Sequence, residues 1–323
     1  MSTIRHASIH RTPVARAIMA CSLMLIASAA GLCGPPAARS SQSNRPRPGV
    51  ARNAWDTDLA AKHLLDQHGS TLSGTDVVLW FPADSLSGDR AEAIVARLDR
   101  GIRAAKRRID RADWQVEGDR RVHFYCPPGS FISHAPGGNC AFIPLWRMRD
   151  DKSPWLHEAM HLLLASPMGD WLALDDSVAM QRMPLWLTEG LAEALAMDIS
   201  EEERLDWYSP LFDVYPDRLD SLAAEVLRRA PTDSVLAMIG SRGKLPQLFG
   251  PDRFRHAVPF YAGSASFTRF IARRHGYGPL LRAIADFDHE QETLAREMGR
   301  PLEQVKLEWL VDIGFTPPAQ RSR

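Results

Sequence analysis

The sequence predicts an α+β fold, with a small sheet-bearing N-terminal lobe followed by a largely helical C-terminal lobe. Three observations predict it. Short apolar runs bounded by Pro- and Gly-rich turns fall between residues 76 and 146. A single amphipathic helical repeat stands among them. From Ser153 onward the chain reads as helix after helix, with few breakers inside them. Strands gathered in one part and helices in another indicate segregated layers, not an alternating parallel sheet.

The strands come first. Asp76 to Phe81 (DVVLWF) is a short apolar run suited to a buried strand. Val122–Cys126 (VHFYC) and Cys140–Trp146 (CAFIPLW) read as two more, separated by Pro127-Pro128-Gly129 and Pro136-Gly137-Gly138. Between the first and second runs, Ile94, Leu98, Ile102, Ala105 and Ile109 recur at steps of three and four, which predicts an amphipathic helix over 91–109. Its basic cluster Lys106-Arg107-Arg108 reads as a solvated face.

The helices follow. Ser153-Pro154 places a capping residue before a Pro at the first helical position. Pro184 opens a second segment, PLWLTEGLAEALAMDI. Further helices are expected near 216–229, 258–275, 278–287, 290–298 and 301–312, and there is no internal repeat.

The first 53 residues lie outside this fold argument. Arg5, Arg11 and Arg16 form a basic region, and the apolar run from Ala17 to Leu32 is followed by Gly34-Pro35-Pro36. That is the layout of a secretory signal peptide, with Ala27-Ser28-Ala29 as a cleavage site. Residues 1–34 are therefore expected to be a signal peptide or, if uncleaved, an N-terminal anchor, although the run is short for a membrane span. Residues 35–53, rich in Pro, Ser and Arg, read as a disordered linker. The folded domain is expected over 54–318. The predicted destination is export, periplasmic or secreted, with membrane contact only through an uncleaved N-terminal segment.

Without residues 1–52 the chain loses seven Arg and no acid, so its formal charge becomes −7, from 32 Lys and Arg against 39 Asp and Glu. An acidic body without a long basic stripe argues against a nucleic-acid partner. Of four cysteines, Cys21 and Cys33 lie in or beside the apolar leader. The remaining pair, Cys126 and Cys140, is expected to form one disulfide in an oxidising compartment, the alternative being two buried thiols.

The chemistry-bearing motif is His157-Glu158-Ala159-Met160-His161, an H-E-x-x-H sequence inside the helix opened at Ser153. Histidines four apart share one helix face and can reach one ion. Glu158 then projects to the side, where it can take a proton from water at that ion. Trp155, Leu156, Met160, Leu162, Leu163 and Leu164 mark the helix as buried, and two histidines and a carboxylate are costly there without a metal or partners. A catalytic zinc wants three protein ligands. Glu189, in Leu185-Trp186-Leu187-Thr188-Glu189-Gly190-Leu191-Ala192-Glu193, fits as the third, 28 residues after His161. Gly190 beside it allows this second helix to approach the first closely. Glu193, one turn on, either orients a ligand imidazole, with His157 the favoured one, or is an exposed helix carboxylate.

H-E-x-x-H followed by W-L-x-E-G-x-A-E resembles the gluzincin metallopeptidases, the peptidase MA-like group related to thermolysin and aminopeptidase N. The likeness spans residues 120–312, specific at the two metal motifs and looser elsewhere. It implies a zincin-like fold, one zinc per chain held by His157, His161 and Glu189, and Glu158 as catalytic base acting on a polypeptide substrate. It also implies that Tyr261, in Tyr261-Ala262-Gly263-Ser264, hydrogen-bonds the oxyanion of the tetrahedral intermediate. This chain departs from the Tyr-Glu-Lys-Gly of aminopeptidase relatives, so Tyr208, Tyr215 and His256 stay as competing candidates. No Asp or Glu falls between Cys126 and Trp146 to hold a free amine. An endopeptidase is therefore expected, its substrate added along a strand edge such as Cys140–Trp146. The alternative function is a periplasmic metal-binding scaffold or binding protein without turnover.

Overall fold

The computed structural model describes residues 58–109, 121–131, 133–137, 139–165, 183–205, 216–242, 248 and 253–315. The leader, the linker, Tyr208 and Tyr215 lie outside the described residues. The chain is α+β, as its patterning predicts: one five-stranded sheet and a mostly helical remainder. Among the described residues no helix is long and apolar enough to cross a membrane.

Helix α1 (Asp58–His68) leads into β1 (Gly69–Ser73) and β2 (Val77–Pro82), an antiparallel pair. Helix α2 (Gly88–Arg108) then crosses to β3 (Val122–Tyr125), which runs parallel to β2. Strand β4 (His134–Gly137) and strand β5 (Cys140–Phe142) complete the sheet in the order β1-β2-β3-β5-β4. β5 lies parallel to β3 and antiparallel to β4, which forms the edge.

Alternation along the strands sorts their side chains. Val77, Leu79, Phe81, Val122, Phe124, Cys126, Ala141 and Ile143 enter the main core beneath α2. Tyr125 and Phe142, with Trp80 and Cys140, point to the other face, against Ala61 and Leu65 of α1.

This sorting corrects the expected disulfide. Cys140 stands opposite His123 in the β3–β5 ladder, whereas Cys126 lies three residues further along β3. Three residues put the two thiols on opposite faces and about 10 Å apart along the strand, beyond the roughly 7 Å between Cα atoms that a disulfide can span. Neither cysteine is in a disulfide.

The expected strand Cys140–Trp146 is also shorter. It ends at Phe142, and Pro144 turns the chain into the short helix α3 (Leu145–Arg149), since Pro cannot donate to a ladder. The substrate edge proposed from sequence is thus an interior strand, and among the described residues the edge strands are β1 and β4.

Helix α4 (Trp155–Ala165) carries the H-E-x-x-H motif, and α5 (Leu185–Glu203) carries Glu189. The rest is helical: α6 (Leu219–Arg229), α7 (Thr232–Met238), α8 (Arg253–His275), α9 (Gly278–Ala285), α10 (Glu290–Met298) and α11 (Leu302–Asp312). α8 starts before the predicted 258 and carries Pro259 inside it.

The basic end of α2 is a joint instead of a merely solvated face. Lys106 pairs with Asp76 at 2.6 Å, Arg107 with Glu203 at 2.7 Å, and Arg108 with Glu202. Exposed pairs of this kind contribute little singly. The two arginine pairs tie the C-terminal end of α5 to α2, and the lysine pair ties α2 to the start of β2.

Candidate metal centre

Two tryptophans seat the helices that carry the site. Trp155, at the start of α4, is fully buried and meets Phe124 of β3 edge-on, with ring centroids 6.3 Å apart. The opposing residue on α2 is Gly101, where an added Cβ would come within 2.3 Å of the indole. Trp186, in the first turn of α5, packs on Phe267 of α8 at 5.6 Å. The strong apolar patterning of both helices therefore buries them, and their few polar residues are carried inward with them.

Three of those polar atoms converge. Nε2 of His157 and Nε2 of His161 are 3.0 Å apart, and their rings stand nearly perpendicular at 87°. Oε2 of Glu189 is 3.5 Å from the first and 3.6 Å from the second. A tetrahedral zinc bound at its usual lengths of about 2.0–2.1 Å needs ligand atoms about 3.4 Å apart. The triangle fits that requirement. The same Oε2 is buried without a well-aligned hydrogen-bond partner, a costly state for a carboxylate unless something cationic completes it. Two imidazoles and one carboxylate are also the donor set that zinc favours. Among the described residues these three form the one His/Cys/Asp/Glu group able to hold an ion.

His157 divides its ring between two partners. Nε2 faces the triangle, and Nδ1 lies 2.8 Å from Oε2 of Glu193. Neither of these two atoms meets a well-aligned hydrogen-bond partner, so the contact acts as a close buried ion pair more than as a directed bond. Glu193 is almost fully buried, which rules out the exposed helix carboxylate.

The electrostatics match this packing. Burial pushes His157 toward neutrality, but Glu189 and Glu193 outweigh it and hold its pKa well above the ordinary value. Burial raises the Glu189 carboxyl, yet His161 and His157 together pull it below the ordinary carboxylate range. Glu158 is different: it is also buried, and desolvation leaves its pKa raised despite the opposing histidines.

Tyr261, on α8, has its phenol pKa driven up first by burial and then by the charge of Glu189. That places its hydroxyl in the field of the Glu189 carboxylate. His256 precedes it by five residues on the same helix, or about 140° of rotation, and so looks elsewhere.

Sequence reasoning missed His134. It lies on the edge strand β4, its Nε2 is 2.8 and 2.9 Å from the two carboxylate oxygens of Asp58, and its charge acts on Glu158. No local pattern links positions 58, 134 and 158. Only the pairing of β4 beside the metal-motif helix brings them near.

No protein-family model matches the chain, and no curated protein matches it.

Proposed function

We propose that this chain is a zinc-dependent peptidase with a zincin-like fold, of the gluzincin kind, acting as an endopeptidase on exported polypeptides. The observation that carries the reading is the triangle of His157 Nε2, His161 Nε2 and Glu189 Oε2, with the buried Glu158 next to the first ligand on the same helix.

His157, His161 and Glu189 would hold the zinc, which when bound would supply Lewis-acid chemistry toward the scissile carbonyl and a water. Glu158 takes a proton from the attacking water as the new C–O bond forms. It then delivers that proton to the amide nitrogen as the C–N bond breaks. A carboxyl whose pKa is raised by burial suits both halves of that transfer. Tyr261, its phenol kept protonated by burial and by Glu189, donates a hydrogen bond to the developing oxyanion. Glu193 holds the imidazole of His157 in one orientation. The substrate strand would add to β4, the edge of the sheet on the side of the metal-motif helix. The basic and apolar leader over 1–34 supports export.

The test separates metal from chemistry. Purified protein is expected to contain one zinc and to hydrolyse an unfolded protein substrate, with activity lost to a chelator and restored by zinc. Glu158→Gln is expected to keep the ion and lose turnover by several orders of magnitude. Near-normal hydrolysis by that variant overturns the mechanism. Stoichiometric zinc with no hydrolysis in the wild type favours a metal-binding scaffold instead.

A further inference from the structure

Gly190 directly follows Glu189, and the sequence reading gave it the task of letting α5 approach α4. The structure places a different helix against it. A Cβ built on Gly190 would lie 2.5 Å from Oγ1 of Thr268, 2.6 Å from the carbonyl oxygen of Ser264 and 2.9 Å from that carbonyl carbon. All three atoms belong to α8. The last two are backbone and cannot rotate away. The hydroxyls of Ser264 and Thr268 are buried without hydrogen-bond partners, so packing alone, not polar bonding, sets this approach.

The contact joins two functional positions. On α5 it is one residue from Glu189. On α8 it is one turn from Tyr261, because residues three apart share a helix face. α5 and α8 also share the most extensive interface between any two elements of the fold. A shift here therefore moves a metal ligand relative to the phenol that would face the oxyanion.

The structure assigns Gly190 the part of a positioning residue: as a point of close approach between α5 and α8, it sets the spacing between Glu189 and Tyr261. This rests on the peptidase reading above for its chemical meaning, but the spacing itself is a property of the metal-free fold.

The test compares two glycines. In Gly190→Ala the helices must separate by about 1 Å to restore ordinary contact distances. A crystal structure of the metal-free variant is expected to show that widening between Glu189 and Tyr261. Zinc affinity, read by chelator competition, is expected to fall at least about tenfold. kcat is expected to fall about a hundredfold with little change in KM, the scale of a 1 Å misplacement. Gly263→Ala serves as the control. Its added methyl meets Cδ1 of Ile239 at 2.8 Å and Trp309 at 3.6 Å, away from α5. It is expected to lower the melting temperature and leave zinc affinity within about twofold.

Equal loss of zinc affinity in both variants, or none in Gly190→Ala, overturns the assignment. Should Gly190→Ala alone not fold, Gly190→Ala with Thr268→Ala, which removes the nearest opposing atom, is measured in its place. A wild-type chain that binds no zinc removes the peptidase reading. In that case the metal-free structures decide, and an unchanged Glu189–Tyr261 separation overturns the role of Gly190.

Discussion

Nδ1 of His157 and Oε2 of Glu193 face each other at 2.8 Å, both side chains nearly sealed from solvent. On the peptidase reading, the carboxylate determines which ring nitrogen is left for the ion. Removing such a partner typically costs about 10- to 100-fold in metal affinity. Glu193→Ala is expected to weaken zinc binding by that factor in chelator competition. Glu193→Gln, which retains an acceptor without the charge, is expected to fall between it and wild type. Wild-type affinity in Glu193→Ala would reduce Glu193 to a packing residue.

Metal uptake should be proton-linked. His157 is held protonated above its ordinary pKa of 6.5, and zinc takes only the neutral ring. Binding near neutral pH is expected to release about one proton per ion, and affinity is expected to rise with pH until the raised His157 pKa is passed. Calorimetry in buffers of different ionisation enthalpy measures the proton directly. Zero release would show His157 already neutral.

The same groups shape the stability of the metal-free protein. The His157 contribution is complete below its ordinary pKa and is lost as pH rises through the raised value. The Glu189 contribution is present above the ordinary carboxylate pKa of 4.5 and is lost as pH falls through the depressed value. Melting temperature against pH should therefore show a plateau between the two. A chelated protein whose melting temperature rises steadily from pH 6 to pH 9 contradicts this.

Tyr261→Phe deletes one hydroxyl and keeps the ring. The oxyanion role predicts a fall in kcat of roughly a hundredfold or more, with KM and zinc content little changed. A core role predicts intact activity and a stability change on the order of 1 kcal/mol. Activity and melting temperature on this single variant tell the two apart.

Away from the site, the hydroxyl of Tyr277 donates to Asp198 at 2.6 Å, and the same carboxylate accepts from Arg269 at 2.7 Å. This partly buried knot ties α5, α8 and the start of α9 together. Tyr277→Phe is expected to cost about 1–2 kcal/mol, since a charged acceptor loses one donor. Zinc affinity is expected to stay unchanged. A melting temperature equal to wild type would show that Arg269 alone satisfies Asp198.

The helices were legible wherever apolar periodicity was long, as in 91–109, where α2 runs Gly88–Arg108. Glu189 was legible from its place after the H-E-x-x-H helix among Trp186, Leu187 and Leu191, whereas the burial of Glu193 was left open. α1, β1 and β4 were not legible. β1 reads Gly-Ser-Thr-Leu-Ser and β4 reads His-Ala-Pro-Gly, too short and polar to show a period of two, and both owe their strand geometry to ladder bonds from neighbours. Two cysteines fourteen residues apart suggested a bridge, but their register, set by the β3–β5 pairing, was hidden. The partner of Gly190 was equally hidden, since a glycine announces a close approach without saying to what.

Oε2 of Glu189 lies 3.5 Å from Nε2 of His157, and the carboxylate helps to hold the pKa of that ring above its ordinary value. The helices that bear them are seated by Trp155 and Trp186 in the apolar interior. The chain thus carries its own counter-charge where a cation would sit. On the peptidase reading, acquiring shape and acquiring the ion are expected to be separate events, unlike in small zinc modules that stay unfolded until loaded. The supply of metal would then govern when the protein becomes active, not whether it survives.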